Sequence, residues 1–576
     1  MSLANGEVQP DGVASAVERP RASLLRAAVD CLFLGAVVAI SVAPYVRGLG
    51  FYIDDFEVLG RMQRSPDQSL FGLYHAVRPG TAQRPLQAFL LAGLYRLFGW
   101  HPLGYHVVNI FLLAIVAALM YLVLRELRLP RLVCVAIPLV YSMLPNYATE
   151  RFWPDTFQIS LSMAFYLLSL YAGLRAVRSS SWAVGVWVAV AVAGIAGSLL
   201  SYEIVFPLFA INLVLVWWAG RDPPEEASQT RRFAVVGLLA IALVAVGILK
   251  TTLVAKYGSN GYAFGFYGGI HQIQTLVSGA VRVNFVTYLV AVPYVVGWIL
   301  LHHFSVVNVI VALAIGLLSF VYLLRIGQND KARSPASTWR ALMKVGLVAF
   351  VLGYAIFLTT PDFLMRSAGV DNRINEAATL GIAAMLVGGL GLAAARVPGG
   401  RHVMAFSAGI ACVVIGGTFI IETLSTYWTS AATRQHQIVT AIAADASRIP
   451  RAGVVILDGT CPEAGPAPIF ATRWDLRQAL ELRLRDPLLN ADVAGYGMRV
   501  KRGSLAIDIR TTYSADTRTY PLGRTLVVFD FKRRQLRHLQ DRAEARQYVA
   551  ARPAPTCAAQ RSFAWGSNPN DRWSLR

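Results

Sequence analysis

The chain has 576 residues, of which 55% are hydrophobic and only 15% charged, and its mean hydropathy is +0.50. That excludes a soluble protein of this length and leaves a polytopic α-helical membrane protein. The formal charge of +20, from 53 Lys and Arg against 33 Asp and Glu, does not argue for nucleic acid as a partner: no zinc-finger, RNA-binding or basic-zipper pattern is present, and basic residues flanking apolar spans are what orientation in a membrane requires.

In chain order, residues 1–23 lack apolar periodicity and read as a disordered cytoplasmic tail. The run from Leu24 to Val46 is too long for a cleavable signal and reads as a retained anchor. Ten more runs long enough for the roughly 30 Å hydrocarbon core begin near Tyr105, Leu132, Thr156, Trp182, Ile204, Phe233, Ser305, Ala341, Ala377 and Val403, giving about eleven spans. Arg125 to Arg131, Arg175 with Arg178, Arg221 to Arg232, Arg325 to Lys344 and Arg396 with Arg401 all fall on one side with Arg19 and Arg21. The positive-inside rule makes that side the cytoplasm, with the N-terminus in and the C-terminus out. Because Arg325 to Lys344 must then stay inside, Gln274 to about His302, interrupted by Pro293, is expected to lie along the outer surface. The membrane domain is thus residues 24–423, with a first outer loop over 47–104.

Residues 424–576 read as a soluble domain on the outer face. The β-type runs GVVILDG, SLAIDIR and TLVVFDF alternate with the helix-like DLRQALELRLR and QLRHLQDRAEARQYVAAR, which predicts an α/β or α+β fold. From Ser425 onward 23 Lys and Arg face 13 Asp and Glu; such a surface suits an anionic membrane face or polymer, the alternative being an arginine-rich composition with no such role. Cys31, Cys134 and Cys412 lie in apolar runs and read as inert. Cys461 and Cys557, 96 positions apart, are expected to pair if the domain lies in an oxidising compartment.

Chemistry is expected at the edges of the spans. FYIDDFEVL carries Asp54, Asp55 and Glu57 directly after the first span, and Arg61, Arg64, Arg78 and Arg84 follow it. A carboxylate with water on one side and a low-dielectric wall on the other is suited to act as a base. NYATERFWPD adds Glu150 and Asp155, with Trp153 as a ring on which a sugar can stack; SYEIVFP adds Glu203; PDFLMRSAGVDNRIN adds Arg366 and Arg373. His106 and Asn109 share a helix face at the start of the second span. The Gly- and aromatic-rich KYGSNGYAFGFYGGIHQ reads as a lid or an interfacial anchor. No Gly-rich phosphate loop or dinucleotide fingerprint is present.

An inside N-terminus, an acidic pair after the first span (YIDDFEVL), an RPL segment and HVVN together resemble the membrane-embedded GT-C glycosyltransferases, closest to the branch of protein O-mannosyltransferases and other users of polyprenyl-phosphate sugars. The likeness covers about the first 220 residues. It implies a GT-C-like fold in a bacterial inner membrane, an active site and C-terminal domain facing the periplasm, a polyprenyl-phosphate or diphosphate sugar donor, and Asp54 as catalytic base, with Asp55 as the alternative. Arg84, Arg366 and Arg373 would hold the donor phosphate. Glu150, Asp155, His106 and Glu203 would serve the acceptor, which is a polysaccharide, lipid or protein hydroxyl. No cofactor is expected; a divalent metal on Asp54, Glu150 and Asp155 is the alternative. A transporter or flippase for a lipid-linked saccharide is the competing function.

Overall fold

In a computed structural model of the chain the described residues are 20–179, 182–219, 226–257, 269–290, 292–302, 304–329, 335–359, 365–398, 400–494, 497–510 and 515–552. Ten helices among them are long and apolar enough to cross a membrane: Leu24–Val42, Pro102–Glu126, Pro154–Arg178, Ala183–Ser201, Gln229–Lys256, Gly269–Val290, Val306–Gln328, Ala336–Thr359, Val370–Ala394 and His402–Ala444. Large apolar side chains such as Leu32, Ile241 and Leu317 are exposed on the outside of these helices, where only lipid can cover them.

Three expected segments differ. The run from Leu132 becomes a pair of helices, Arg131–Met143 and Pro145–Arg151, bent by 67°. Leu144 stands between them at φ −74°, ψ 132°, because the ring of Pro145 disfavours helical backbone at the residue before it. The run from Ile204 gives only a shorter apolar helix, Phe206–Ala219, started by Pro207 after Tyr202 has left the preceding helix in an extended conformation. Conversely Gly269–Val290, expected to lie along the surface, has the length and composition of a span. Gln272, Asn284 and Thr287 are turned into the bundle: Asn284 accepts a hydrogen bond from Asn146 at 2.6 Å and donates to the Tyr354 hydroxyl at 2.6 Å.

The helix His402–Ala444 has 43 residues, about 65 Å at 1.5 Å per residue. It runs unbroken through position 424, where the soluble domain was expected to begin, and carries the C-terminal region as a continuous stem. That region contains a mixed sheet in the order Asn490–Val493, Val454–Asp458, Leu526–Asp530, Gln535–His538, parallel except at the last edge. Val455 and Leu457 enter one core and Ile456 the other, so the central strand is buried on both faces. An antiparallel meander of Gly497–Lys501, Ser504–Arg510 and Ala515–Pro521 adjoins it. Gln535–His538, expected to open a helix, is the edge strand; the helix starts only at Arg542, where the Asp541 side chain caps Ala543 and Glu544 N–H.

The helix Arg473–Leu484 opens with a capping box of Thr472 and Asp475 and packs on the first-loop helix Asp54–Arg64. Their approach is close: a Cβ on Gly60 would meet Gln478 Oε1 at 2.7 Å. Arg64 donates to Gln478 at 3.0 Å and pairs with Glu481. First loop and C-terminal region therefore lie on one face of the membrane domain.

Candidate active site

The acidic pair lands at the start of a helix, and the backbone there divides its two members. Ile53, the residue before the helix, sits at φ 45°, a conformation that a β-branched side chain adopts only under strain. Beyond it Asp55 turns inward. It is buried, and its carboxylate accepts Tyr52 N–H at 2.7 Å and the backbone N–H of Asp155. Asp55 thus clamps the first loop to the second and has no access to a substrate. Asp54 is half-buried and accepts the Trp474 indole N–H at 3.0 Å. Burial pushes Asp54 above the usual aspartate value, against Arg373 and the Trp474 hydrogen bond, which pull it down.

Around Asp54 the structure gathers residues from five separate parts of the chain. Arg373 lies within electrostatic reach of both Asp54 and Asp155, and its guanidinium stacks over the Trp153 ring at 4.9 Å. Asp155 accepts from Gln87 at 3.2 Å and lies within reach of Arg84. Arg84 grips Glu203 with two hydrogen bonds, of 3.2 and 2.6 Å, and stacks over Tyr202 at 4.1 Å. Lys250 completes the arrangement, 2.9 Å from Glu203 and donating to the Gln83 carbonyl at 2.8 Å. Burial pushes Glu203 up, but Arg84 and Lys250 outweigh it and hold the carboxyl well below its usual range. Three carboxylates and three cations thus alternate along one half-buried strip.

The remaining expected residues lie elsewhere. Glu150 is fully buried; its carboxylate accepts from Ser160 at 3.1 Å beside Glu376, and its backbone carbonyl accepts from Asn109 at 2.7 Å. His106 is buried and hydrogen-bonded to the Gly50 carbonyl at 3.2 Å, holding the approach to the acidic pair. Arg366 faces Asp371 at 3.3 Å. Trp153 is buried and donates to the Tyr52 carbonyl at 3.1 Å, so its ring is closed to a sugar. Of the glycine-rich segment, residues 258–268 lie outside the described residues. Lys250, Gln87, Tyr202 and Trp474 escaped the sequence reading; for Lys250 the signal was present, a lysine inside an apolar run.

Among the described residues no three His, Cys, Asp or Glu side chains gather to hold a metal ion. Cys31 and Cys412 are free thiols, and the Cys134 thiol donates to the Leu129 carbonyl at 3.3 Å. Cys461 is disulfide-bonded; Cys557, its expected partner, lies outside the described residues. Fold and site together define a polytopic helical membrane protein with a strand-containing C-terminal region closing over a charged cleft. No family model matches the chain, and no curated protein matches it.

Proposed function

We propose that the protein is an inverting glycosyltransferase that moves a sugar from a polyprenyl-phosphate donor to an acceptor hydroxyl at the periplasmic face of a bacterial inner membrane. The observation that carries this reading is the half-buried Asp54 carboxylate facing a cationic strip at the edge of the membrane domain. A reaction on that side of the membrane has no cytoplasmic nucleotide sugar available, so a lipid-carried donor fits. The helix ends where Arg131 pairs with Asp30, and Arg175 and Arg178 with Glu126, are the cationic ones; the positive-inside rule makes them cytoplasmic and supports an outside position for the opposite ends, where Asp54 lies.

Asp54 takes the proton of the acceptor hydroxyl as its oxygen attacks the anomeric carbon, and the lipid phosphate departs from the opposite side, inverting the centre. Arg84, Lys250 and Arg373 stabilise the charge that grows on the leaving phosphate. Glu203 keeps the first two cations apart and correctly aimed. Asp155, fixed by Gln87, faces Arg373 and orients it. The reaction as written needs no cofactor.

The test is an assay of purified protein with a radiolabelled polyprenyl-phosphate sugar and a mixed acceptor pool, scoring both transfer and slow hydrolysis of the donor. Label released or transferred by the wild type and not by Asp54→Asn supports the reading. Movement of intact lipid-linked sugar across a vesicle membrane without cleavage would establish the flippase instead.

A further inference from the structure

Where the first-loop helix meets the C-terminal region a cleft of about 690 Å³ opens, its walls including Glu57, Arg473, Trp474, Arg477, Arg518 and Tyr520. That volume lies inside the range of about 300 to 1,000 Å³ usual for ligand sites. Its charges are unequally committed. Glu57 pairs with Arg61 at 2.5 Å, and Arg518 with Asp492 at 2.8 Å and Asp516 at 3.0 Å. Among the described residues, Arg473 and Arg477 form no ion pair and donate no hydrogen bond, and Arg477 Nε is buried without a partner. Two uncommitted guanidinium groups one helical turn apart are shaped for a carboxylate, sulfate or phosphate oxyanion. Trp474 stands between them in sequence. Its indole N–H is held by Asp54, and its ring lines the cleft with that of Tyr520, the kind of apolar face on which a sugar ring packs.

We propose that this cleft is the acceptor subsite and that the acceptor is an acidic saccharide chain, its oxyanion held by Arg473 and Arg477 and one sugar packed on Trp474 so that a hydroxyl reaches Asp54. The word acceptor rests on the transfer reaction proposed above; recognition of an acidic saccharide does not. An acidic saccharide suits the position better than a phospholipid headgroup, because the Trp474 and Tyr520 rings beside the two arginines are matched by sugar rings.

The experiment titrates the full-length protein, in nanodiscs of uncharged phosphatidylcholine, with tetragalacturonate and with maltotetraose by calorimetry. The expected result is binding of tetragalacturonate at least about tenfold tighter than maltotetraose, weakening as salt is raised and falling about tenfold or more in the R473Q/R477Q double variant. Equal affinity for the two saccharides would overturn the proposal, as would undiminished binding by the double variant. Displacement of tetragalacturonate by glycerol 3-phosphate at equal concentration would reassign the cleft to a lipid headgroup and overturn it too. Arg473→Gln alone, at an exposed position, keeps the test decisive if the double variant does not fold: about threefold weaker binding supports the cleft and unchanged binding refutes it. If the protein binds tetragalacturonate in this arginine-dependent way yet cleaves no polyprenyl-phosphate sugar, the transfer reaction falls and the saccharide site stands.

Discussion

At the scale of single residues, the acidic pair shows how much the backbone adds to what the letters say. Asp54 and Asp55 are identical neighbouring carboxylates in sequence, and only the resemblance ranks Asp54 as base ahead of Asp55. The turn at Ile53 sends one to the cleft and the other into the clamp between loops. Asp54→Asn is predicted to lower the rate about 10² to 10⁴-fold, the usual contribution of a general base, with donor affinity retained. Asp55→Asn is predicted to do the reverse. Its amide replaces one carboxylate oxygen with an NH2 donor and removes the charge that strengthens the bonds from the two backbone N–H groups, so it should melt earlier, by about 1 to 3 kcal/mol of stability, while the folded fraction keeps its turnover. The pH profile separates the roles further. Burial raises Asp54 above 3.8 in the folded protein, and the base works as carboxylate, so the rate climbs as pH rises through that raised value and is lost below it. Trp474→Phe removes a hydrogen bond that favours the carboxylate, so the acid limb should move to still higher pH; an unmoved limb would detach Trp474 from the base. Glu203 stays ionised through this window because Arg84 and Lys250 overcome its burial, so the limb belongs to Asp54 together with Asp155, whose carboxylates feel each other. Arg84→Met should raise the donor KM and lower kcat together, since the phosphate is held in ground and transition states alike.

At the scale of elements, apolar runs of span length were legible because the bilayer demands about 20 apolar residues and little else imitates that signal. Where local chemistry contradicted the run, the reading failed. The expected span from Ile204 is shortened by the break around Pro207, and Gly269–Val290, read as a surface helix because Arg325 to Lys344 has to stay inside, has span length and composition, with Asn284 satisfied by Asn146 and Tyr354 inside the bundle. In the C-terminal region the strand runs rich in Val and Ile are legible, but the charges of Gln535–His538 read as helix although the segment is a strand, because the helix start signal comes only at Asp541. The charged residues of the site were visible as charges at span edges; Trp474 was not, because only tertiary docking brings residue 474 to residue 54. The helix that makes this docking depends on its cap. Asp475 accepts Ala471, Thr472 and Leu476 N–H at 2.7, 3.0 and 2.6 Å, so Asp475→Ala should cost about 2 kcal/mol of domain stability, read as an earlier thermal transition of the full-length protein. An unchanged transition would mean that the cap contributes nothing to the fold.

At the scale of the whole molecule, the membrane domain and the C-terminal region meet over one charged cleft, with Asp54 between the cationic strip on the membrane side and the arginine-lined pocket on the other. This arrangement suits a reaction joining a lipid-borne donor to a polar acceptor, each reaching the same carboxylate from its own phase. The measurement that tests it most directly is single-turnover transfer from a radiolabelled polyprenyl-phosphate sugar by purified wild type and Asp54→Asn, with donor binding followed in the same samples. Labelled product is expected from the wild type, at least about a hundredfold less from the variant, and equal donor binding by both. Transfer at the wild-type rate by Asp54→Asn would contradict it.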